Sequence, residues 1–162
     1  NSLADLKTKD VDLAILWGFG EWKEYESRLL LRLPSVPTAN TTLAKEVESI
    51  GIEAAVRQVP LLGDSSGDTG WRAWHRAVGL PYLPSKSSII IPDSNSRVQA
   101  VIDGQGIALW DRLVAPEIKS GQLVELTDRK LDTSGYYLVF TKDPHATQVQ
   151  AMIDWLFAQT AI

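Results

Sequence analysis

A short strand, a helix and a second strand follow one another between residues 88 and 109, and this order constrains the fold more than any other feature. Ser88–Ile91 and Ile107–Leu109 are apolar runs of strand length, which predicts two buried strands. Gly104 stands where a helix commonly ends. The helix between the strands has one apolar face, formed by Val98, Val101 and Ile102. Because parallel strands need such a crossover, the sequence predicts a parallel sheet here.

The start of that helix carries four consecutive polar side chains, Asp93, Ser94, Asn95 and Ser96. Each can accept hydrogen bonds from the free N–H groups of a helix start, but one cap is enough. Ligands of such sheets lie beyond the carboxyl ends of the strands, next to helix N-termini. Ser94 and Asn95 are therefore candidate ligand-binding residues, with plain capping as the open alternative.

Composition narrows the class of protein. The 162 residues are enough for one domain or for two small lobes, and the 44% apolar and 22% charged content is typical of globular proteins. The net charge of -4 argues against a nucleic-acid surface on this segment. The chain has no cysteine and two histidines, so we expect no disulfide and no metal site. No apolar run approaches the roughly 20 residues of a membrane span, so we expect no membrane partner.

One short motif suggests catalysis. Gly63–Gly67 reads GDSSG, which is similar to the nucleophile loop of trypsin-like proteases. The match is imperfect, because His75 and His145 follow the serines, whereas that class places His and Asp before Ser. We interpret the segment as a donor-rich loop between a strand and a helix, with Ser65 and Ser66 as candidate ligand contacts. A serine hydrolase stays the less favoured alternative. With no P-loop and no G-x-G-x-x-G motif, we expect no cofactor.

Two tryptophans close predicted strands. Val11–Trp17 is a near-continuous apolar run followed by Gly18, and Trp110 follows the strand Ile107–Leu109. Because strand ends open onto the ligand crevice of α/β sheets, each ring is a candidate pocket wall. The alternative, that the rings simply cover the core, is equally open for Trp110. Trp17 and Gly18 are candidate ligand-binding residues.

Three segments resemble the effector-binding domain of the LysR-type transcriptional regulators. In Ala100–Leu126, a helix ends in G-x-G, a small apolar strand follows, and a short helix ends in Gly-x-Leu-Val, an order common in that family. Leu6–Gly18 (LKTKDVDLAILWG) is similar to its helix, turn and strand followed by glycine. Leu61–Leu80 is similar to its L-L, polar loop, W-x-x-W and G-L pattern. The resemblance extends over residues 3 to 160, although Trp110 stands where the family usually has a smaller residue.

The resemblance implies an α/β fold of the periplasmic-binding-protein type, with two Rossmann-like lobes joined by two crossing strands. Lobe I would be residues 1–33 and 136–162, and lobe II residues 34–135. The family's domain begins with a further strand and helix start, so we expect lobe I to be incomplete at its N-terminus. Thr38 lies in a segment resembling the first crossing strand and is a candidate ligand contact or a structural residue.

The implied function is sensing, not catalysis. A small metabolite would bind in the cleft between the lobes, where Ser65, Ser66, Ser94 and Asn95 face Trp17, Gly18 and Thr38, and so modulate transcription. Free N–H groups at two helix N-termini favour a carboxylate, and the absence of Arg or Lys within these segments favours a small, weakly charged ligand. The family further implies a cytoplasmic homodimer or higher homo-oligomer, with DNA bound through a helix-turn-helix domain not in this chain. A periplasmic solute-binding protein of related fold is the main alternative.

Overall fold

A computed structural model describes residues 6, 8, 11–64, 68–83, 88–142 and 147–160. The chain divides into two compact units, one formed by Asn1–Leu33 with Asp132–Ile162 and the other by Pro34–Leu131. We call them the first and the second unit. Each contains its own β-sheet, so the predicted mixed α/β architecture with two separate sheets is confirmed.

The described elements are named in chain order. The strands are β1 (Leu13–Gly18), β2 (Glu26–Leu31), β3 (Val36–Ala39), β4 (Leu61–Gly63), β5 (Ile89–Ile90), β6 (Ile107–Trp110), β7 (Val124–Glu125) and β8 (Gly135–Phe140). The helices are α1 (Thr41–Ile50), α2 (Ile52–Gln58), α3 (Thr69–Ala77), α4 (Ser94–Ile102), α5 (Ala115–Lys119) and α6 (Thr147–Thr160), with a 3-10 turn at Arg112–Val114.

The first unit contains a three-stranded antiparallel sheet in the order β1-β8-β2. Successive residues of β8 point to opposite faces, as the period of two in a strand requires. Val139 packs with Ala14 and Leu6 on one face. Leu138 and Phe140 pack on the other face, against the buried side of α6. The two small cores hold β8 at the centre of this sheet.

The second unit contains a five-stranded sheet in the order β5-β4-β6-β3-β7. β4 runs parallel to both β5 and β6, which confirms the parallel sheet predicted from the strand–helix–strand segment. β3 runs antiparallel to β6 and to β7. Leu62, Ala100, Val101, Ala108, Val114 and Leu123 form the core that joins this sheet to its helices. The sheet thereby fixes the carboxyl ends of β4, β5 and β6 at one edge.

Two predicted strands differ from the observed ones. The strand expected at Ser88–Ile91 is only Ile89–Ile90, and Ile90 is 59% exposed, so the prediction that it is buried was wrong. Among the described strands, β5 is an edge strand that pairs with β4, and an apolar run alone does not distinguish an edge strand from a central one. The strand at Val11–Trp17 begins two residues later, at Leu13.

Asn40 and Gly104 join the start of α1 to the end of α4. The Asn40 side chain accepts a hydrogen bond from the Leu43 N–H (2.9 Å) and donates one to the Ile102 carbonyl (3.0 Å). Gly104 ends α4 with a φ of 78°, and a Cβ there would lie 2.9 Å from Asn40 Nδ2. Both the backbone angle and the close approach require glycine, so the predicted helix end at Gly104 is confirmed.

Candidate functional site

The candidate site begins at the carboxyl ends of β4 and β6. The parallel strands follow one another along the chain as β4, β5 and β6, but in the sheet β4 lies between β5 and β6. The first strand in the chain is therefore the central one of the three. In doubly wound sheets of this order, ligands bind in the crevice at the carboxyl ends of the first and third strands. Here these ends are Gly63 and Trp110, with the start of α4 following the neighbouring strand β5.

The start of α4 is capped by Asp93. Its Oδ1 accepts hydrogen bonds from the Ser96 N–H and the Ser96 hydroxyl, both at 2.8 Å. These hydrogen bonds hold the pKa of the Asp93 carboxyl below its ordinary value. Ser94 and Asn95 are exposed beside this cap. Because Asp93 supplies the cap, the side chains of Ser94 and Asn95 are not needed for it, and their ligand role stays a prediction.

Arg97 brings a positive charge to this edge. Its Nη1 donates to the Ile91 carbonyl at 2.5 Å and to the Pro92 carbonyl at 3.3 Å. Its guanidinium carbon lies 4.9 Å from the centroid of the Trp110 ring. Sequence reasoning missed this residue, although it follows the polar run directly. The available signal was its position one turn into α4, from which a long side chain can fold back over the end of β5.

Trp110 closes β6 beside the first residue of β3, Val36. The indole packs against the core cluster of the second unit. Its Nε1–H is buried and has no hydrogen-bond acceptor within the described part of the chain. The stack with Arg97 and the core contacts together fix the ring at the strand end.

Thr38 lies inside the sheet, away from the strand ends at which a ligand would bind. It pairs with Ala108 of β6, two residues before Trp110. Its side chain is 1% exposed, and the hydroxyl donates to the Val36 carbonyl at 3.1 Å. The residue of β3 that lies beside Trp110 is Val36, not Thr38.

Trp17 and Gly18 end β1 in the first unit, whereas Thr38, Ser94 and Asn95 belong to the second. The Trp17 ring meets the Phe19 ring edge-on, with centroids 5.6 Å apart. A Cβ at Gly18 would lie 3.0 Å from the Trp22 ring, so a larger residue there would displace that indole. The glycine therefore has a packing reason independent of any ligand.

Ser65 and Ser66 lie outside the described residues, as does His145. His75 is 2% exposed, and its Nδ1 lies 2.8 Å from the Trp71 carbonyl oxygen. Burial lowers the pKa of His75, and the charge of Arg57 lowers it further, while the bond to Trp71 acts in the opposite sense. The imidazole packs edge-on against Trp74 and Tyr82. These contacts give His75 a structural role in the aromatic cluster of α3.

Among the residues that the structure describes, no three His, Cys, Asp or Glu side chains are grouped so as to hold a metal ion. Within the same ranges, no helix combines the length and apolar character needed to cross a bilayer.

A concave surface lies at the β7 edge of the second unit's sheet. α1 and the edge strand β7 form a groove of about 540 Å³. Its lining combines apolar residues such as Val47 and Val124 with the charged residues Lys45, Glu48 and Glu125. β3 separates this groove from Trp110, so the two surfaces are distinct features of the unit.

The comparisons with known proteins establish the family. The model of the LysR substrate binding domain matches residues 1–161, so this chain belongs to that family and the predicted resemblance is confirmed. The effector domain of the transcriptional regulator AmpR of Pseudomonas aeruginosa has the same fold, with a TM-score of 0.81, 25% identity, and coverage of 97% of this chain and 76% of that one. The AmpR effector binding domain from Citrobacter freundii gives a TM-score of 0.77 at 21% identity, covering 96% and 78%.

Similar sequences are named as transcriptional activators. The glycine cleavage system transcriptional activator of Escherichia coli (strain K12) is 28% identical over 160 residues, covering 97% of this chain and 52% of that protein. The HTH-type transcriptional activator AmpR of Rhodobacter capsulatus is 25% identical over 163 residues, covering 99% and 55%. This chain therefore spans about half the length of the curated relatives it matches.

Proposed function

We propose that this chain is the effector-sensing part of a LysR-type transcriptional regulator, and that it binds a small metabolite and thereby modulates transcription. The observation that carries the proposal is the family match over residues 1–161, joined to relatives named as transcriptional activators. That family and those names favour a sensor over a periplasmic solute-binding protein or a serine hydrolase.

The proposed ligand is a small carboxylate. Ser94 and Asn95 are exposed beside a helix start whose cap Asp93 already provides, which leaves their side chains available to a ligand. Arg97, one turn further along α4, supports an anionic ligand only through its general positive field, because its guanidinium is anchored to backbone carbonyls. Trp17, Gly18, Ser65 and Ser66 complete the proposed contacts, and the buried Thr38 is proposed only as a structural residue of the sheet.

Sensing requires a ligand that distinguishes two conformations. A ligand shifts an equilibrium only by its difference in affinity for the two states. A tenfold preference corresponds to about 1.4 kcal/mol. In the proposed organisation, lobe I is residues 1–33 and 136–162, and lobe II is residues 34–135. The effector changes the conformation of these lobes and so the way the regulator engages its promoter.

The other partners follow from the family. We infer a cytoplasmic homodimer or higher homo-oligomer that has no enzymatic activity. DNA is bound through a helix-turn-helix domain elsewhere in the full-length protein, in keeping with the net charge of -4 on this chain. The groove between α1 and β7 is a surface on which a second subunit would bury apolar area.

The proposal is tested by a thermal-shift screen of the full-length protein. The panel holds small carboxylates, including glycine, acetate and benzoate, each beside the amide that lacks its carboxylate charge. A ligand that binds only the folded state adds about 2.7 kcal/mol at roughly 100 times its Kd. We expect at least one carboxylate, and not its amide, to raise the melting temperature. Equal shifts with acid and amide would reject the carboxylate, and turnover of any panel member would reject the sensor.

A further inference from the structure

Trp110 lies at the strand end where α/β sheets of this strand order commonly bind their ligands. It is the last residue of β6, the third of the parallel strands, beside the carboxyl end of β4. Crevices at this point of an α/β sheet hold ligands because the connections to the two strands diverge there. An indole is the largest side chain that could occupy this strand end.

Arg97 holds the indole in place. Its guanidinium is anchored to the carbonyls of Ile91 and Pro92 at the end of β5 and stacks 4.9 Å from the Trp110 centroid. A planar guanidinium can hydrogen-bond in its own plane while it covers a ring, which the ammonium of lysine cannot do. The ring is thus clamped between Arg97 and the core cluster that contains Leu62 and Ala108.

The indole of Trp110 lowers the stability of the fold in a way that an apolar side chain of similar size would not. Its buried Nε1–H has no acceptor among the described residues, and an unpaired buried donor destabilises a fold. Phenylalanine would fill the core contact without that cost. The unpaired donor therefore points to a role for the size and shape of the indole at the strand end.

We propose that Trp110, positioned by Arg97, is the specificity-determining wall of the effector site, and that it restricts effectors to small, non-aromatic carboxylates. This inference rests on the proposed function, because it requires an effector at the edge formed by β4 and β6. Trp110 limits the space, and Arg97 acts through Trp110 by fixing its orientation.

The test compares acetate with benzoate, which carry the same charge and differ by a ring. Affinities come from the ligand dependence of the melting temperature of the full-length protein, with acetamide and benzamide as uncharged controls. The variants are Trp110→Leu, Trp110→Phe, Arg97→Lys and Arg97→Met. Trp155→Leu is the matched control, because Trp155 is a 54% exposed tryptophan on α6 of the first unit.

The unmodified protein should bind acetate and discriminate against benzoate. In Trp110→Leu, the ratio of benzoate to acetate affinity should rise at least about tenfold, the usual scale of discrimination by pocket size. Trp110→Phe should raise the ratio of benzoate to acetate affinity by a smaller factor. This variant tests the inference if Trp110→Leu does not fold. Arg97→Met and Arg97→Lys should both relax the discrimination, because both lose the stacked plane, while Trp155→Leu leaves it unchanged.

Two failures are distinguishable. Acetate binding with an unchanged benzoate ratio in both Trp110 variants would overturn this inference and leave the proposed function standing. A protein that binds no carboxylate of the panel would overturn the carboxylate site itself. Loss of acetate binding in folded Trp110→Phe would show that the indole N–H binds the effector, which also overturns the role of a purely size-limiting wall.

Discussion

Replacing Asn40 should show how strongly the start of α1 is joined to the end of α4. Asn40→Ala removes the helix cap on the Leu43 N–H and the bond to the Ile102 carbonyl. A lost cap costs about 1 kcal/mol. A lost partly buried hydrogen bond costs about 1 kcal/mol more. We therefore expect the free energy of unfolding to fall by about 2 kcal/mol.

Asn40→Asp separates the two contributions. Aspartate keeps an acceptor for the Leu43 N–H but cannot donate to the Ile102 carbonyl, so about half of the loss should remain. The assay is equilibrium urea unfolding of each variant with an unchanged m-value. Asn40→Asp as stable as the unmodified protein would refute the proposed link between the helices.

Two further predictions concern α3 and α4. His75 has a lowered pKa in the folded protein, so its contribution to stability is present above about pH 6.5 and is lost as pH falls from there through the folded pKa. His75→Gln should flatten this part of a melting-temperature profile against pH, and an unchanged slope would contradict the assignment. Ser94→Ala should weaken carboxylate binding by about 1 kcal/mol with little effect on stability, because Asp93 keeps the cap. Unchanged affinity with a lowered melting temperature would make Ser94 part of the cap.

The elements were predictable where local pattern determines them. The helix between Asp93 and Gly104 follows from a cap, an apolar face and a glycine at positive φ, and each lies within a few residues of the others. The family followed from the order of several such segments, and the model match bears it out. The burial of β5 could not be predicted from local sequence pattern. An isoleucine run looks buried, yet only the strand order makes Ile90 an edge residue.

The site was harder to predict because it depends on long-range packing. Arg97 and Trp110 are separated by thirteen positions of the chain, and only the placement of β5, β4 and β6 side by side brings their side chains together. Thr38 shows the reverse problem. Its segment was recognisable, but its depth in the sheet follows from the register of β3 with β6, which sequence patterns do not encode.

The central claim, that this chain senses a small effector to control transcription, is tested most directly by DNA binding of the full-length protein. Fluorescence anisotropy with labelled promoter DNA should be measured with and without the best carboxylate of the thermal-shift panel, at fixed ionic strength, because phosphate contacts respond to salt. We predict that the carboxylate changes the apparent Kd for promoter DNA or the extent of the protected site, and that its amide does not. A carboxylate that binds the protein yet leaves both DNA readouts unchanged would contradict the account.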